Sequence, residues 1–342
     1  MSNKYTELSF PNYKRVVSCH NFSLGLKAFI AIHNTNLGPA LGGCRMWNYT
    51  NENEAILDAL RLSEGMTYKN AIAGLPYGGG KGVIWADPST QKTESILKAF
   101  AEFINYMKGE YISAEDVGIT PKDTTIINEV TSFVAAGDNG DPSPATAKGI
   151  FEGIKATIKH KYGSNNLKDK RALVVGLGSV GSEVCKLLNK SKAKLSISDI
   201  NINLIETYRR KYKAIVETSN IQKMNKVDIF VPCAMGGFIT TEIIKYLPAN
   251  IIAGSANNQL LSSEVGESLF KNKILYAPDY VINAGGVIKV GLALQEKLDK
   301  KELNKQLRNI GKTLTKIYVR SEEEQKPTNI IADDMAREIF MK

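Results

Sequence analysis

Two lysines set twelve residues apart, Lys69 and Lys81, bracket the most chemically suggestive stretch of the chain, Met66 to Ile84. Three consecutive glycines, Gly78 to Gly80, run directly into Lys81. Each glycine in a helix or strand interior costs roughly 0.5–1 kcal/mol relative to alanine. A triple glycine is therefore expected where backbone passes close to a ligand, with Lys81 delivering an amine into the narrow space. A surface loop with an exposed lysine would show the same four residues. The phosphate-binding P-loop does not fit: Leu75 stands where its first glycine belongs, and Gly82 follows the lysine in place of a hydroxyl residue.

A second glycine-rich segment has a better-defined context. Ala172 to Val175 is a short apolar run that predicts a buried parallel strand, and it leads into G-x-G-x-x-G at Gly176, Gly178 and Gly181. A helix pattern follows, with Val180, Val184, Leu187 and Leu188 on one side, and then a second strand from Ala193 ends in Asp199, 23 residues after Gly176. Strand, glycines, helix, strand and terminal acid in that order predict a dinucleotide-binding unit. Gly176 permits the tight turn, Gly178 lets the pyrophosphate approach the backbone, and Gly181 packs helix on strand. The helix N-terminus at Leu177, Ser179 and Val180 offers backbone N–H groups to phosphate. Asp199 would accept from the ribose hydroxyls and repel a 2'-phosphate, which favours NAD over NADP. A βαβ unit without a ligand is the plain alternative.

Elements that could position these residues follow from length and pattern. At 342 residues the chain exceeds what one core usually supports, which predicts two domains. Residues 1–140 alternate short strands, such as Leu26 to His33, with helical patterns. Asn51 with Glu54 three residues on predicts a capped helix running to about Glu64. Residues 145–325 read as the Rossmann domain, with helix over Lys148 to His160 and strands at Asp228 to Pro232 and Ile251 to Gly254. Residues 326–342 close the chain as a helix expected to return to the first domain. Asp141-Pro-Ser-Pro144 reads as the linker, because proline disfavours helix at itself and its predecessor. The fold class is α/β.

Composition narrows the function classes. Four scattered cysteines without C-x-x-C give neither a zinc site nor a disulfide framework, and three histidines without H-E-x-x-H give little support for a metal, so none is expected. No apolar run reaches the length of a membrane span, and the first ten residues lack the basic-then-apolar order of a secretion signal, which predicts a cytoplasmic protein without membrane partners. The net charge of +9 raises nucleic acid as a partner. The basic residues are spread along the chain without interleaved aromatics, so a solvated surface is the expectation and nucleic acid is not.

Six segments occur in order: Gly38-Pro-Ala-Leu-Gly-Gly43, the Lys69 to Lys81 stretch, Ala114-Glu-Asp-Val-Gly118, Pro142-Ser-Pro-Ala-Thr146, Gly254-Ser-Ala-Asn-Asn-Gln259 and Ala277-Pro-Asp-Tyr-Val-Ile-Asn-Ala-Gly-Gly286. With the Rossmann unit among them, the chain resembles the glutamate/leucine/phenylalanine/valine dehydrogenases from about residue 10 to 340, most nearly the leucine dehydrogenases. The resemblance implies reversible, NAD-dependent oxidative deamination of an L-amino acid to a 2-oxo acid and ammonia. It gives Lys69 to the substrate carboxylate, Lys81 to activation of water, Asp116 to proton exchange with the substrate nitrogen, and Asn258, with Asn257 beside it, to the carboxylate and nicotinamide. Gly42, Gly43 and Gly78 to Gly80 would leave room for these groups to converge in a cleft between the domains. For its role Lys81 must be partly neutral, which a neighbouring cation and exclusion of water favour.

Substrate class follows from what is missing. Glutamate-specific relatives carry lysine at the position of Leu41 and serine at that of Val290. An ionised side-chain carboxylate buried against these two without a partner would cost several kcal/mol or more, on the order expected for unpaired buried charge. Ala114 and Val287 complete an apolar pocket of branched-chain size, which implies leucine, with valine and isoleucine. Phenylalanine, tryptophan or another apolar amino acid stays open, as does a non-catalytic NAD-binding regulator. Gly181 stands where relatives often carry alanine, and either is expected to fit. The chain stops at Lys342, just after its closing helix, and a homo-oligomer, dimer or octamer, is implied.

Overall fold

The computed structural model describes residues 2–135, 140–218, 220–234, 236–237 and 239–342. The chain divides into two compact units, residues 1–140 with 336–342, and residues 141–335. No helix among the described residues is long and apolar enough to cross a membrane.

In the first unit the strands are β1 (Lys4–Leu8), β2 (Arg15–Asn21), β3 (Leu26–Asn34), β4 (Ala40–Leu41), β5 (Cys44–Trp47), β6 (Gly78–Trp85) and β7 (Tyr111–Ile112). The helices are α1 (Glu52–Ile72), α2 (Glu94–Tyr106) and α3 (Pro121–Asn128). One mixed sheet orders the strands β1-β2-β3-β6-β4-β7, with β5 also on β6. Both β4 and β5 run parallel to β6 in one continuous register, Leu41 opposite Gly79 and Cys44 opposite Gly82, interrupted at Gly42 and Gly43. Two apolar layers cover the sheet. Ile84, Phe100, Phe103 and Tyr111 belong to the layer that α2 completes, and Phe29, Ala55, Ala59 and Val83 to the layer under α1.

The triple glycine lies in the strand β6, not in a loop, and all three residues are buried. The reason is packing between elements. A Cβ on Gly79 would overlap the backbone N and the hydroxyl of Thr67 on α1, and one on Gly80 would come within 2.8 Å of Tyr111 on the other face. The glycines thin the sheet where helix and aromatic ring press on it, and their conformational cost is offset by that close contact.

Helix α1 also runs further than the sequence pattern predicts, to Ile72 instead of about Glu64. Its start matches: the Asn51 side chain accepts from the Glu54 N–H at 3.0 Å. Gly65 lies in its interior at a cost of about 1 kcal/mol. Burial of Thr67, Asn70 and Ala71 beyond that point carries the helix on. Lys69 is therefore a residue of the last helical turn.

The second unit carries α4 (Ser143–Tyr162), β8 (Arg171–Val175), α5 (Ser179–Lys190), β9 (Lys194–Ser198), α6 (Ile202–Tyr212), β10 (Ile215–Val216), β11 (Ile229–Pro232), α7 (Thr241–Ile244), β12 (Ile251–Ile252), α8 (Ser263–Lys271) and β13 (Leu275–Tyr276). It ends in α9 (Asp279–Ile282), α10 (Gly285–Leu294), α11 (Lys300–Glu324) and α12 (Thr328–Phe340). All its strands are parallel, in the order β10-β9-β8-β11-β12-β13. Numbered from β8, this is the 3-2-1-4-5-6 order of the doubly wound dinucleotide fold. The buried face of α5 is Gly181, Val184, Cys185 and Leu188, a stripe of three- and four-residue spacing in which Cys185 takes the place expected for Leu187.

Pro142 and Pro144 open a helix here. Pro142 is the N-cap of α4 and Pro144 lies in its first turn, where the missing N–H has no helical partner to lose. The division between units falls just before, at Gly140 and Asp141, and again inside α12, between Met335 and Ala336.

Candidate active site

The pleat of β6 places Gly79, Lys81 and Val83 on one face, the face covered by α1. Leu41, opposite Gly79, and Arg45, opposite Val83, project from the neighbouring strands toward the same side. Lys81 is only 5% exposed. Its Nζ donates to Asp116 Oδ2 at 2.7 Å. Asp116 follows β7 in a tight turn in which its carbonyl accepts from Ile119 N at 2.9 Å. Two sequence-expected residues, 35 positions apart, thus meet as an ion pair.

A third charge completes the group. Arg45 Nε donates to the same Asp116 oxygen at 3.0 Å. Burial raises the Asp116 carboxyl, but the Lys81 and Arg45 charges outweigh it and hold the group down at about 2. Asp116 is thus ionised throughout the neutral range. Arg45 was missed by the sequence reading, although it is the one cation in Gly42-Gly-Cys-Arg45 and stands on a strand between the buried Cys44 and Met46.

Lys69, half-buried on the last turn of α1, stands two residues beyond the Thr67 contact with Gly79. A cation at a helix C-terminus also complements the helix dipole, which is its plain structural use. Asn70 next to it donates to Gly78 O at 2.6 Å and to Leu41 O at 3.2 Å. These bonds tie the end of α1 to both strands. Leu41 is 1% exposed, Gly42 is buried with its would-be Cβ overlapping Gly80 O, and Ala114 is half-buried with its carbonyl accepting from Cys44 N at 2.8 Å.

The remaining candidates belong to the second unit. Gly176 has φ +98°, a backbone that strongly favours glycine, and a Cβ there would press within 2.6 Å of Ala234 N. Gly178 caps α5 with no side-chain bond and has open space where a Cβ would stand. Ser179 is exposed and Val180 half-buried in the first turn. Leu177 is buried, and its N–H donates to Asp199 Oδ2 at 2.6 Å, so Asp199 braces the glycine turn itself. Gly181 departs from expectation. Its would-be Cβ overlaps Gly176 O and lies 3.1 Å from Cys233 Cβ, so alanine requires the loop to shift.

Beyond β12, Asn257 and Asn258 are exposed. Asn258 holds φ +50°, and its carbonyl accepts from Gly237 N at 2.6 Å. Asn257 Oδ1 accepts from Asn283 Nδ2 at 2.8 Å, which orients its amide. Asn283 is 6% exposed and was also missed, although it lies within the Ala277 to Gly286 segment. Val287 and Val290 are both half-buried, one turn apart on α10. No cluster of metal-ligating side chains occurs among the described residues.

An open-faced glycine, an uncapped helix N-terminus of three full turns and an acid at the end of β9 together fit a dinucleotide at the β8–α5 turn. The fit rests on Gly178, where none of the described residues comes within 4 Å of a would-be Cβ.

Known proteins place this pairing of units. Residues 14–133 match the family model described as Glu/Leu/Phe/Val dehydrogenase, dimerisation domain, and residues 199–339 match that of Glutamate/Leucine/Phenylalanine/Valine dehydrogenase. Leucine dehydrogenase of Geobacillus stearothermophilus is 44% identical, over 96% of this chain and 90% of its own. Phenylalanine dehydrogenase of Caldalkalibacillus thermarum is 39% identical over 96% of this chain and 92% of its own. The crystal structure of L-tryptophan dehydrogenase from Nostoc punctiforme superposes with a TM-score of 0.85 at 40% identity, covering 96% of both chains. With two family models matched in order and near-complete coverage by its relatives, the chain belongs to the glutamate/leucine/phenylalanine/valine dehydrogenase family of amino-acid dehydrogenases.

Proposed function

We propose that this protein carries out reversible oxidative deamination of branched-chain L-amino acids, leucine with valine and isoleucine, to 2-oxo acids and ammonia, with NAD as hydride acceptor. The observation that carries the chemistry is the 2.7 Å contact between Lys81 and Asp116, a path along which one proton can move. Leucine as substrate is supported by the leucine dehydrogenase at 44% identity and by Leu41, an apolar residue that gives a second carboxylate no partner.

The dinucleotide, held at Gly176 to Gly181 and Asp199, supplies the acceptor for the hydride from the substrate α-carbon. Every other task falls to the chain. Lys69 binds the α-carboxylate as a point charge, with Asn258 as a hydrogen-bonding partner and Asn257 directed to the nicotinamide side. Asp116, ionised, takes a proton from the substrate nitrogen. Asp116 releases that proton to solvent and takes the Lys81 proton across the 2.7 Å contact, and the neutral Lys81 amine removes a proton from water as the water oxygen bonds to the imine carbon and the C=N π pair passes to nitrogen. Asp116 then returns its proton to nitrogen, the C–N bond breaks with its electron pair leaving on ammonia, and the C=O bond forms as the hydroxyl proton passes to Asp116 and on to solvent. This is general acid–base catalysis by two coupled groups. Leu41 and Ala114 of the first unit and Val287 and Val290 of the second are the apolar residues assigned to the substrate side chain. Asp199 disfavours a 2'-phosphate and so selects NAD over NADP.

A second substrate reading has its own observation: the L-tryptophan dehydrogenase of Nostoc punctiforme is 42% identical over 95% of this chain. One methylene in an apolar pocket is worth only about 1–3 kcal/mol, so pocket lining alone does not rank these substrates. NADH formation on a panel of L-amino acids decides. Turnover on leucine, valine and isoleucine with little on glutamate is the expected result. Preference for tryptophan or phenylalanine would move the substrate within the family, and silence across the panel with dinucleotide binding intact would leave a non-catalytic regulator. The match of residues 14–133 to a dimerisation domain supports a homo-oligomer, which light scattering of the purified protein tests.

A further inference from the structure

Behind the Lys81–Asp116 pair lies a charged chain that the proposed reaction does not yet use. One edge of the Arg45 guanidinium donates from Nε to Asp116 at 3.0 Å, and another donates from Nη1 to Asp58 Oδ2 at 3.0 Å. Asp58 stands on α1 and is 6% exposed, an unusual burial for an acid. It is fully occupied: Tyr49 OH donates to the same oxygen at 2.6 Å, and Arg61 pairs with its other oxygen. Tyr49 is itself buried, and burial together with the Asp58 carboxylate pushes its phenol well above the ordinary range, so it stays protonated and donates to Asp58.

We propose that Arg45, locked by Asp58 and Tyr49, is the positioning residue of the catalytic pair: it fixes the Asp116 carboxylate so that the oxygen facing Lys81 is held in one place through the proton transfers. The proposal rests on the assignment of Lys81 and Asp116 to proton handling. Asp116 sits in a turn after the two-residue strand β7, and its backbone is tied to β5 on either side, Cys44 N to Ala114 O at 2.8 Å and Met46 N to Val117 O at 2.9 Å, so the freedom left to fix is that of the carboxylate itself. Lys81 alone, through a flexible four-carbon chain, fixes a distance but not the orientation of the carboxylate plane. A guanidinium is planar and binds two partners in fixed directions. By bridging Asp116 to Asp58 it ties the turn to α1, the helix that also bears Lys69. Among the described residues, the charged groups paired with Asp116 are Lys81 from β6 and Arg45 from β5. Cys44 and Tyr111 are neutral neighbours, since burial raises both thiol and phenol.

The experiment uses the full chain, with turnover on the best amino acid from the panel. Arg45→Met should lower kcat about 100-fold while KM for the amino acid and Kd for NAD stay within threefold, and the solvent deuterium isotope effect on kcat should rise as a proton step becomes limiting. Arg45→Lys keeps the charge but not the two-way fork, and should recover about tenfold of the loss. A purely structural arginine would give a fall in kcat that follows the folded fraction, with an unchanged isotope effect and no gain from lysine, and that result overturns the proposal. Should Arg45→Met fail to fold, Tyr49→Phe removes a single donor from Asp58. A two- to fivefold drop in kcat with unchanged KM is then expected, and wild-type kcat would overturn the locked-arginine account. A wild type inactive on the whole panel sinks the functional reading and this proposal together; an active wild type with an insensitive Arg45 sinks only this one.

Discussion

The two glycine-rich segments put the same residue to opposite uses. At Gly78 to Gly80 the missing side chains make room for protein: the Asn34 backbone, Thr67 of α1 and Tyr111 occupy the space in turn. At Gly178 the missing side chain leaves space that no atom of the described residues fills. The first segment places side-chain charges, Lys81 with Asp116, at a sheet surface. The second leaves backbone N–H groups as its chemistry, at a helix end that carries no side-chain cap. Glycine count alone does not separate a packing device from a ligand cradle; what the absent Cβ would meet does.

That contrast can be broken at several points. The largest effect is expected at Lys81. Lys81→Ala should cut kcat by about 10²–10⁴-fold, the usual span for a positioned acid or base, with little change in dinucleotide affinity measured by NADH fluorescence. Asp116→Asn should follow. It leaves a buried Lys81 ammonium without its carboxylate, and losing one partner of a buried pair costs about 3–5 kcal/mol, readable as a fall in the urea midpoint. Gly79→Ala should cost about 1–3 kcal/mol by overpacking and raise KM for the amino acid, since α1 carries Lys69 away as it moves. An unchanged Tm and KM in that variant would refute the packing role of the triple glycine.

Smaller effects should come from the second unit and from pH. Gly181→Ala should raise the Kd for NAD several-fold without altering kcat at saturation, because only the loop must shift. Acid stability reports Asp116. Its folded value, about 2, lies below the ordinary 3.8, so its contribution is complete above about 3.8 and is lost as the pH falls through 2. Urea midpoints taken from pH 5 to pH 2 should fall less steeply for Asp116→Asn than for the wild type.

Much of this was legible in the chain, for identifiable reasons. Strand β8, the glycine turn and Asp199 follow a local grammar in which each residue's neighbours dictate its role. The sheet partners of β6 did not, because its fit against α1 depends on contacts between Gly79 and Thr67 that periodicity does not encode. The extension of α1 past Gly65 had the same cause: burial of its last two turns outweighed a local helix breaker. Arg45 and Asp58 escaped notice because a paired buried charge looks, in sequence, like any exposed one. Pro142 and Pro144 were read as a linker where they begin a helix, since proline before a helix and proline in a loop share one local conformation.

The most direct test of the account is NADH formation by Lys81→Ala beside the wild type on leucine, with NAD affinity measured on the same preparations. Turnover lowered at least 100-fold with a Kd for NAD within twofold of wild type is the predicted result. Turnover within a few-fold of wild type would contradict it, and would remove Lys81 from the chemistry.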